Sequence, residues 1–337
     1  MRCLITGGAG FIGSHLSERL LALGHEVLAI DDLSTGKVEN ILPVRSHPSY
    51  EFHCDSIFNR RLMAELVDLA DIVFHLAAAV GVKRIVDYPV QTIETNVGGT
   101  EVVLELAAKR QRRLVLASTS EVYGKSNKLP FSETDDLVLG STYNQRWAYA
   151  CSKAIDEFLA LAYFREQKLP VTIVRLFNTV GPRQTGQYGM VVPTFVRQAL
   201  LQEPVTVFGD GTQARCFGHV SDIIDGLLAV AADDSTAGEI FNLGNTEEVT
   251  IGELALRVIA ATKSSSQIRY VPYSEAYGPG FEDMYRRIPD ISKATAWLNF
   301  HPRFGLDEIL RDVVSFVRHE IGRKKVAFVA ASIDSTS

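Results

Sequence analysis

The run GGAGFIG, residues 7–13, follows directly on the apolar stretch Arg2–Thr6 and opens a helical pattern over Phe11–Leu23. No other feature constrains the fold of this chain as much. Gly7, Gly10 and Gly13 permit a tight turn and a close approach of backbone to a pyrophosphate, and a helix N-terminus favours phosphate charge. Glycines alone are a weak signal. Here a second apolar run, Glu26–Ile30, ends in Asp31, eighteen positions after Gly13. A carboxylate there hydrogen-bonds the adenosine ribose hydroxyls and repels a 2′-phosphate, so the spacing predicts NAD rather than NADP.

The rest of the first half keeps the same rhythm. Further strands are expected at Tyr50–Cys54, Asp71–His75, Arg113–Ser118 and Val171–Phe177, each apolar enough to be buried on both faces. Helical stretches such as Val97–Lys109 lie between them. This alternation predicts an α/β fold, a Rossmann-type doubly wound parallel sheet. After Gly181 the chain thickens in Gly, Pro and polar residues, with helical segments at Pro193–Leu201, Ser221–Ala231, Ile251–Ala261 and Leu306–Glu320. The expected division is a cofactor domain over 1–180, to which later segments return, a smaller C-terminal α/β substrate-binding cap over 181–322, and a frayed tail over 323–337.

With 337 residues, 46% hydrophobic and 22% charged, the chain is long enough to bury a core without disulfides. Its net charge of -6 argues against nucleic acid and against an anionic membrane surface. One or two arginines in a pocket can still bind an anionic small molecule. The start lacks a basic segment before an uninterrupted apolar stretch, and no run of 18 or more apolar residues suggests a membrane span. Cys3, Cys54, Cys151 and Cys216 form no CxxC pair and have no zinc-site spacing, so no metal is expected. They read as reduced structural thiols suited to a reducing cytoplasm.

Tyr149 and Lys153 in YACSK stand one helical turn apart and project from one face. A phenol is a poor base at neutral pH, but a nearby ammonium stabilises its phenolate, which can then remove a proton from a sugar hydroxyl as hydride leaves. The segment Ser118-Thr119-Ser120-Glu121 ends a strand on the side where open α/β sheets bind ligands. Glu121 is informative because a carboxyl beside the reacting sugar can act as acid or base at a second carbon. Arg183, Arg215 and Arg286-Arg287 come from three loop-rich places and suit a diphosphate or carboxylate.

The glycine spacing, with YxxxK, resembles the extended short-chain dehydrogenase/reductases of the NAD-dependent epimerase/dehydratase family, over Met1 to roughly Ile321. The resemblance implies that Phe11 and Ile12, with the glycines, meet the pyrophosphate, and that Asp31 with Ser34 and Gly36 of DDLSTG holds the adenosine ribose. It places Asp55 and Ser56 near the adenine, and Leu76, Ala77 and Ala78 along the dinucleotide channel. Tyr149 and Lys153 would also touch the cofactor. Thr119 would share the sugar proton, Asn178 and Arg215 would hold the diphosphate of a nucleotide-sugar, and Phe217 and Val191-Val192 would flank the base. Family members commonly dimerise through two helices per chain, and the helix from Arg146 to about Glu166 is apolar enough to serve.

Oxidation at C4 of the sugar gives a 4-keto intermediate, from which epimerisation, loss of water or loss of carbon dioxide can follow. The 4,6-dehydratases of the family carry Asp where this chain has Ser120, and apiose-forming relatives carry Cys there. Thr-Ser-Glu resembles the UDP-glucuronate decarboxylases and also the GDP-mannose dehydratases. RWAYAC and YGPGFEDMYRRIPDI resemble stretches of decarboxylases in which an arginine, here Arg287, meets the substrate carboxylate. The expectation is UDP-glucuronate decarboxylation to UDP-xylose or its 4-keto form. A UDP-sugar 4-epimerase remains the alternative, and a catalytically silent NAD sensor a remote one, disfavoured by the intact Tyr149 and Lys153.

Overall fold

The computed structural model describes residues 1–81, 87–186, 189–277 and 284–334, with side chains up to residue 323. Six apolar runs form strands β1 (Arg2–Thr6), β2 (Glu26–Asp31), β3 (Tyr50–Cys54), β4 (Ile72–His75), β5 (Arg113–Thr119) and β6 (Val171–Leu176). A seventh strand, Ile240–Leu243, joins β6, and the sheet order is Ile240–Leu243, β6, β5, β4, β1, β2, β3, all parallel. The order reverses between β1 and β4, so a crevice opens above the glycine loop, where such sheets take their ligands.

Helices cover both faces. Leu16 and Leu20 of the first helix, Phe11–Ala22, pack one face together with Ile223, Ile224 and Leu227 of the helix Val220–Ala232. Met63 and Leu66, Val103 and Ala107, and Ala160 cover the other from three further helices. Residues 218–244 therefore belong to the sheet, although they follow the first cap segments in sequence. The cap has its own core, in which Phe195 and Val196 meet Leu254, Val258, Leu310 and Val313. A smaller cluster of Tyr123, Phe131, Trp147 and Phe177 lies beneath the junction.

Several expectations are corrected. β3 is an edge strand, and only Tyr50 of it is buried, so Cys54 is exposed rather than a core hydrophobe. Cys151 is also exposed, and all four cysteines are free. The helix expected from Val97 begins eight residues earlier, at Pro89, whose fixed φ suits a first helical position. Gly98 and Gly99 lie inside it, and a Cβ on Gly99 would lie 2.4 Å from Ile57 Cδ1, so the Ile57 side chain packs into the space the glycine leaves. The last helix runs from Leu306 to Asp334, so the expected tail is helical over most of its length. No Gly or Pro interrupts the segment after Gly322. Among the described residues no helix is long and apolar enough to cross a membrane.

Candidate active site

One cavity of about 1040 Å³ runs from the glycine loop, past the ends of β4, β5 and β6, into the cap. Its first wall is Gly7, Gly10, Phe11, Ile12 and Gly13. Gly7 has φ +73°, and a Cβ there would lie 2.9 Å from Ala77 N; one on Gly13 would lie 2.2 Å from Gly7 O. Neither position tolerates a side chain, so the helix starts hard against the loop. Gly10 caps that helix without a side-chain acceptor and its first turn holds no acid, which leaves the leading N–H groups for an anion. This cradle fits the pyrophosphate of NAD.

Asp31 lines the same wall. Its carboxylate accepts the N–H of Ala9 at 3.0 Å and of Leu33 at 2.8 Å, which fixes it against the loop. Burial holds its carboxyl above the usual range, with those backbone donors working against the rise. Leu76, Ala77 and Ala78 also line the cavity. Ser34, Gly36, Asp55 and Ser56 are not among its walls. Ser34 is exposed, Gly36 backs the Asp31 carboxylate where a Cβ would come within 2.7 Å, and Asp55 and Ser56 lie just past the end of edge strand β3. Thr35 and Lys37 reach the wall instead.

At the centre, β5 ends in Thr119, whose hydroxyl accepts the N–H of Glu121 at 3.2 Å and so caps a short turn, Ser120–Tyr123. That turn aims Glu121 into the cavity. The helix Ala148–Gln167 presents Tyr149 and Lys153 to the same space, where the Thr119 hydroxyl favours the Tyr149 phenolate. Burial raises the Tyr149 phenol, and the charges of Glu121 and Asp156 raise it further. The expected lowering rests on Lys153 together with the positive nicotinamide ring; the protein's own groups around Tyr149 work, on balance, in the other direction. The Lys153 ammonium is bound to Asp156 at 2.7 Å, which neutralises much of its field.

Glu121 is held between two arginines. Arg146, only 1% exposed, donates to one carboxylate oxygen, and Arg287 Nη1 lies 3.5 Å from the other. Burial would raise the Glu121 carboxyl, but Arg146 and then Arg287 outweigh it and hold it below the usual range. The side chain is thus an anion, which makes it a base rather than the acid that was also open to it.

In the cap, Arg287, Arg215, Asn178, Val191, Val192 and Phe217 all reach the cavity. Asn178 Nδ2 donates to Cys216 O at 3.0 Å, and Arg215 Nη1 to Ala214 O at 2.8 Å. Arg183 reaches it too and pairs with Glu18 of the first helix. Arg286 does not converge with them. Neighbouring residues of a strand face opposite ways, and Arg286 pairs twice with Glu248 at 2.7 Å on the outer side. Of the motif YGPGFEDMYRRIPDI, residues 278–283 lie outside the described residues. Sequence reasoning missed the charge role of Arg146, three positions before Tyr149, and missed Asp156 and Arg269, which lines the far end. The helical spacing of Arg146 and Asp156 around Tyr149 was the available signal. Among the described residues, no group of three or more His, Cys, Asp or Glu side chains could hold a metal ion.

The model of the NAD dependent epimerase/dehydratase family matches residues 3–244. A UDP-N-acetyl-alpha-D-glucosaminuronate decarboxylase of Bacillus cytotoxicus is 43% identical, over 94% of this chain and 98% of that one. UDP-glucuronic acid decarboxylase 1 of Arabidopsis thaliana is 38% identical over 95% of this chain and 71% of its own length. Among solved structures, the UDP-glucuronic acid 4-epimerase of Bacillus cereus, in complex with UDP-glucuronic acid and NAD, superposes with a TM-score of 0.86 at 29% identity. It covers 95% of this chain and 99% of that one.

Proposed function

Because the chain belongs to the NAD-dependent epimerase/dehydratase family, we propose that it is an NAD-dependent decarboxylase of a UDP-hexuronate, with UDP-glucuronate as the first candidate. The observation that carries this reading is Arg287, facing the cavity beside an ionised Glu121 and within the same space as Tyr149. An arginine there suits a carboxylate on C6 of the sugar. When bound, NAD supplies the hydride acceptor, and later the donor, for the sugar's C4. Tyr149 takes the proton of the C4 hydroxyl, and Thr119, fixed by the Glu121 amide and facing the same cavity, holds the same oxygen. The resulting ketone is β to the C6 carboxylate. The C5–C6 bond then breaks, its electron pair moves toward C5 and the C4 oxygen, and carbon dioxide leaves. Tyr149, now protonated, returns its proton to that oxygen. Arg287 orients the carboxylate, for which Glu121 competes.

We assign Asp31, Gly7, Gly10 and Gly13 to NAD, and Asn178, Arg183 and Arg215 to the diphosphate. The cap over 181–322, with residues 218–244 returned to the sheet, is the substrate-holding unit. The fold shared with a UDP-glucuronate 4-epimerase favours one second reading, epimerisation at C4 with the carboxylate retained. A homodimer is also proposed. The helices Pro89–Arg110 and Ala148–Gln167 carry exposed Val90, Ile93, Ile155 and Phe158 on their outer faces. Four free cysteines fit the reducing cytoplasm.

Incubation with UDP-glucuronate, and with its 2-acetamido counterpart, should release carbon dioxide and leave a UDP-pentose or its 4-keto form, followed by proton NMR. Conversion to UDP-galacturonate with all carbons retained would replace decarboxylation by epimerisation. Turnover of UDP-glucose with inert uronates would do the same.

A further inference from the structure

The assignment of Tyr149 and Lys153 leaves one buried charge without a task. Asp156 lies three positions after Lys153 and seven after Tyr149, on the same helical face. Its side chain is wholly buried and accepts from Lys153 Nζ at 2.7 Å. A buried carboxylate is costly unless its remaining lone pairs are also engaged. Here Lys153 occupies Oδ2, and Oδ1 has no hydrogen-bond partner among the described residues; Thr100, on the neighbouring helix Pro89–Arg110, faces the carboxylate and favours its charge. Thr100 Oγ1 lies 3.1 Å from His75 Nε2, and His75 Nδ1 lies 2.7 Å from Thr6 Oγ1. The chain ends at the Ala77 N–H, which donates to Thr6 Oγ1 at 3.2 Å.

The donors in this chain run one way. The Ala77 amide can only donate, so the Thr6 hydroxyl accepts from it and gives its own hydrogen to His75 Nδ1. A neutral imidazole that accepts at Nδ1 carries its proton on Nε2 and donates to Thr100. The Thr100 hydrogen is then left for Asp156. The imidazole is neutral because burial, with the Lys153 charge second, lowers its pKa to about 3. Every member of the chain is buried except Ala77, which forms the cofactor wall beside Gly7. A line of hydrogen bonds thus runs from the crossover between β1 and β4 to Thr100, beside the Asp156–Lys153 pair.

We propose that Asp156 is a positioning residue that fixes the Lys153 ammonium and offsets its charge, setting the pH at which Tyr149 removes the sugar proton. The Thr6–His75–Thr100 line keeps it oriented and ionised. The proposal rests on the reading of Tyr149 as the base. The other charges around this group are Glu121 with its partners Arg146 and Arg287, Arg215 beyond them, and Glu157, which is tied to Arg175 at 2.7 Å and to Ser118. None of these changes when Asp156 is replaced. Loss of the Asp156 charge leaves the Lys153 ammonium uncompensated, which favours the phenolate.

The test uses Asp156→Asn and Thr100→Val, both loaded with NAD, and the pH profile of kcat/KM on whichever UDP-sugar the wild type turns over. The acid limb should move down by about one pH unit or more in Asp156→Asn. Thr100→Val should move it by less, in the same direction, because burial already holds Asp156 above the usual carboxylate range and loss of a donor favours its neutral form. Equal losses of rate at every pH, with the limb unmoved, would mark Asp156 as merely structural and overturn the proposal. A second readout needs no substrate. Nitrogen-15 NMR of His75, assigned by its absence in His75→Gln, should show a neutral Nε2–H imidazole that does not titrate from about pH 5 to 9. An Nδ1–H or charged ring would overturn the chain. Near-normal turnover by Tyr149→Phe would instead remove the functional reading, and the proposal with it.

Discussion

Arg146→Met gives the sharpest test of how the central carboxylate is held. Arg146 is 1% exposed and Glu121 9%, so their ion pair is shielded from water. Removing one partner of a buried pair leaves an uncompensated charge and costs about 3–5 kcal/mol. Arg287 remains, 3.5 Å away on the other oxygen, so the lower end, about 3 kcal/mol, is expected. The same loss lets the Glu121 carboxyl rise from where the two arginines hold it. In the wild type this carboxyl is held below its ordinary value, so its contribution to stability is present above that value and fades as pH falls through the lowered pKa. In the variant the sign reverses. The penalty is full above the raised pKa and is relieved as Glu121 takes up a proton below it. Urea denaturation at about pH 8 should therefore show a loss of about 3 kcal/mol, and a smaller loss at about pH 5. A loss that is small at pH 8, or equal at both pH values, would show that Arg146 does not hold Glu121 as an anion.

Arg287→Gln should lower kcat/KM on the uronate by about 10- to 100-fold, the worth of one charge-assisted hydrogen bond, while affinity for UDP-glucose changes little in a competition assay. His75 reports on the core. Its pKa is about 3 when folded against 6.5 ordinarily, so its stabilising effect is complete above 6.5 and drains as pH falls, at about 1.36 kcal/mol per unit. His75→Gln should accordingly lose about 2–3 kcal/mol less than wild type between pH 6.5 and 4.5 in denaturant titrations. Phe158 is 69% exposed on the proposed dimer face, and Phe158→Asp should convert a dimer to a monomer by light scattering with NAD still bound. A monomeric wild type would dispose of the dimer.

The parts of this molecule that could be read from the chain are those whose signal is local. β1, its glycine loop, the first helix and Asp31 follow one another within 31 residues, and Tyr149 and Lys153 share a helix turn. Pairings between distant segments were not legible. Glu121 and Arg146 are brought together by a short turn and a helix start 25 residues apart, and nothing in either segment names the other. The choice between Arg286 and Arg287 depends on the facing of a two-residue strand, where a slip of one position exchanges cavity for solvent. The buried polar line was hidden for another reason. Thr6, His75 and Thr100 sit in runs that read as plain core, and only the packing of β1, β4 and a helix aligns their polar atoms.

The overall charge of -6 hides a polarised cavity. Among the described residues, seven basic side chains line it against three acidic ones, a balance opposite in sign to that of the whole chain. The charged groups at the cavity's two ends also differ. Asp31 stands at the glycine loop, where hydroxyl donors of a ribose need an acceptor and helix N–H groups already serve the phosphates. Arg183, Arg215, Arg269 and Arg287 stand on the cap side, where their side chains supply positive charge beside the first residues of the helix Val191–Leu200. An elongated ligand with phosphates at its middle and a carboxylate on its sugar can lie along that cap wall in one direction only, sugar toward Tyr149 and base toward Arg269. In the reverse direction its carboxylate would leave Arg287, the cap arginine paired with Glu121. The field of the cap therefore selects which end of the substrate reaches the proton-transfer residues, and this local arrangement, unlike net charge, bears on function.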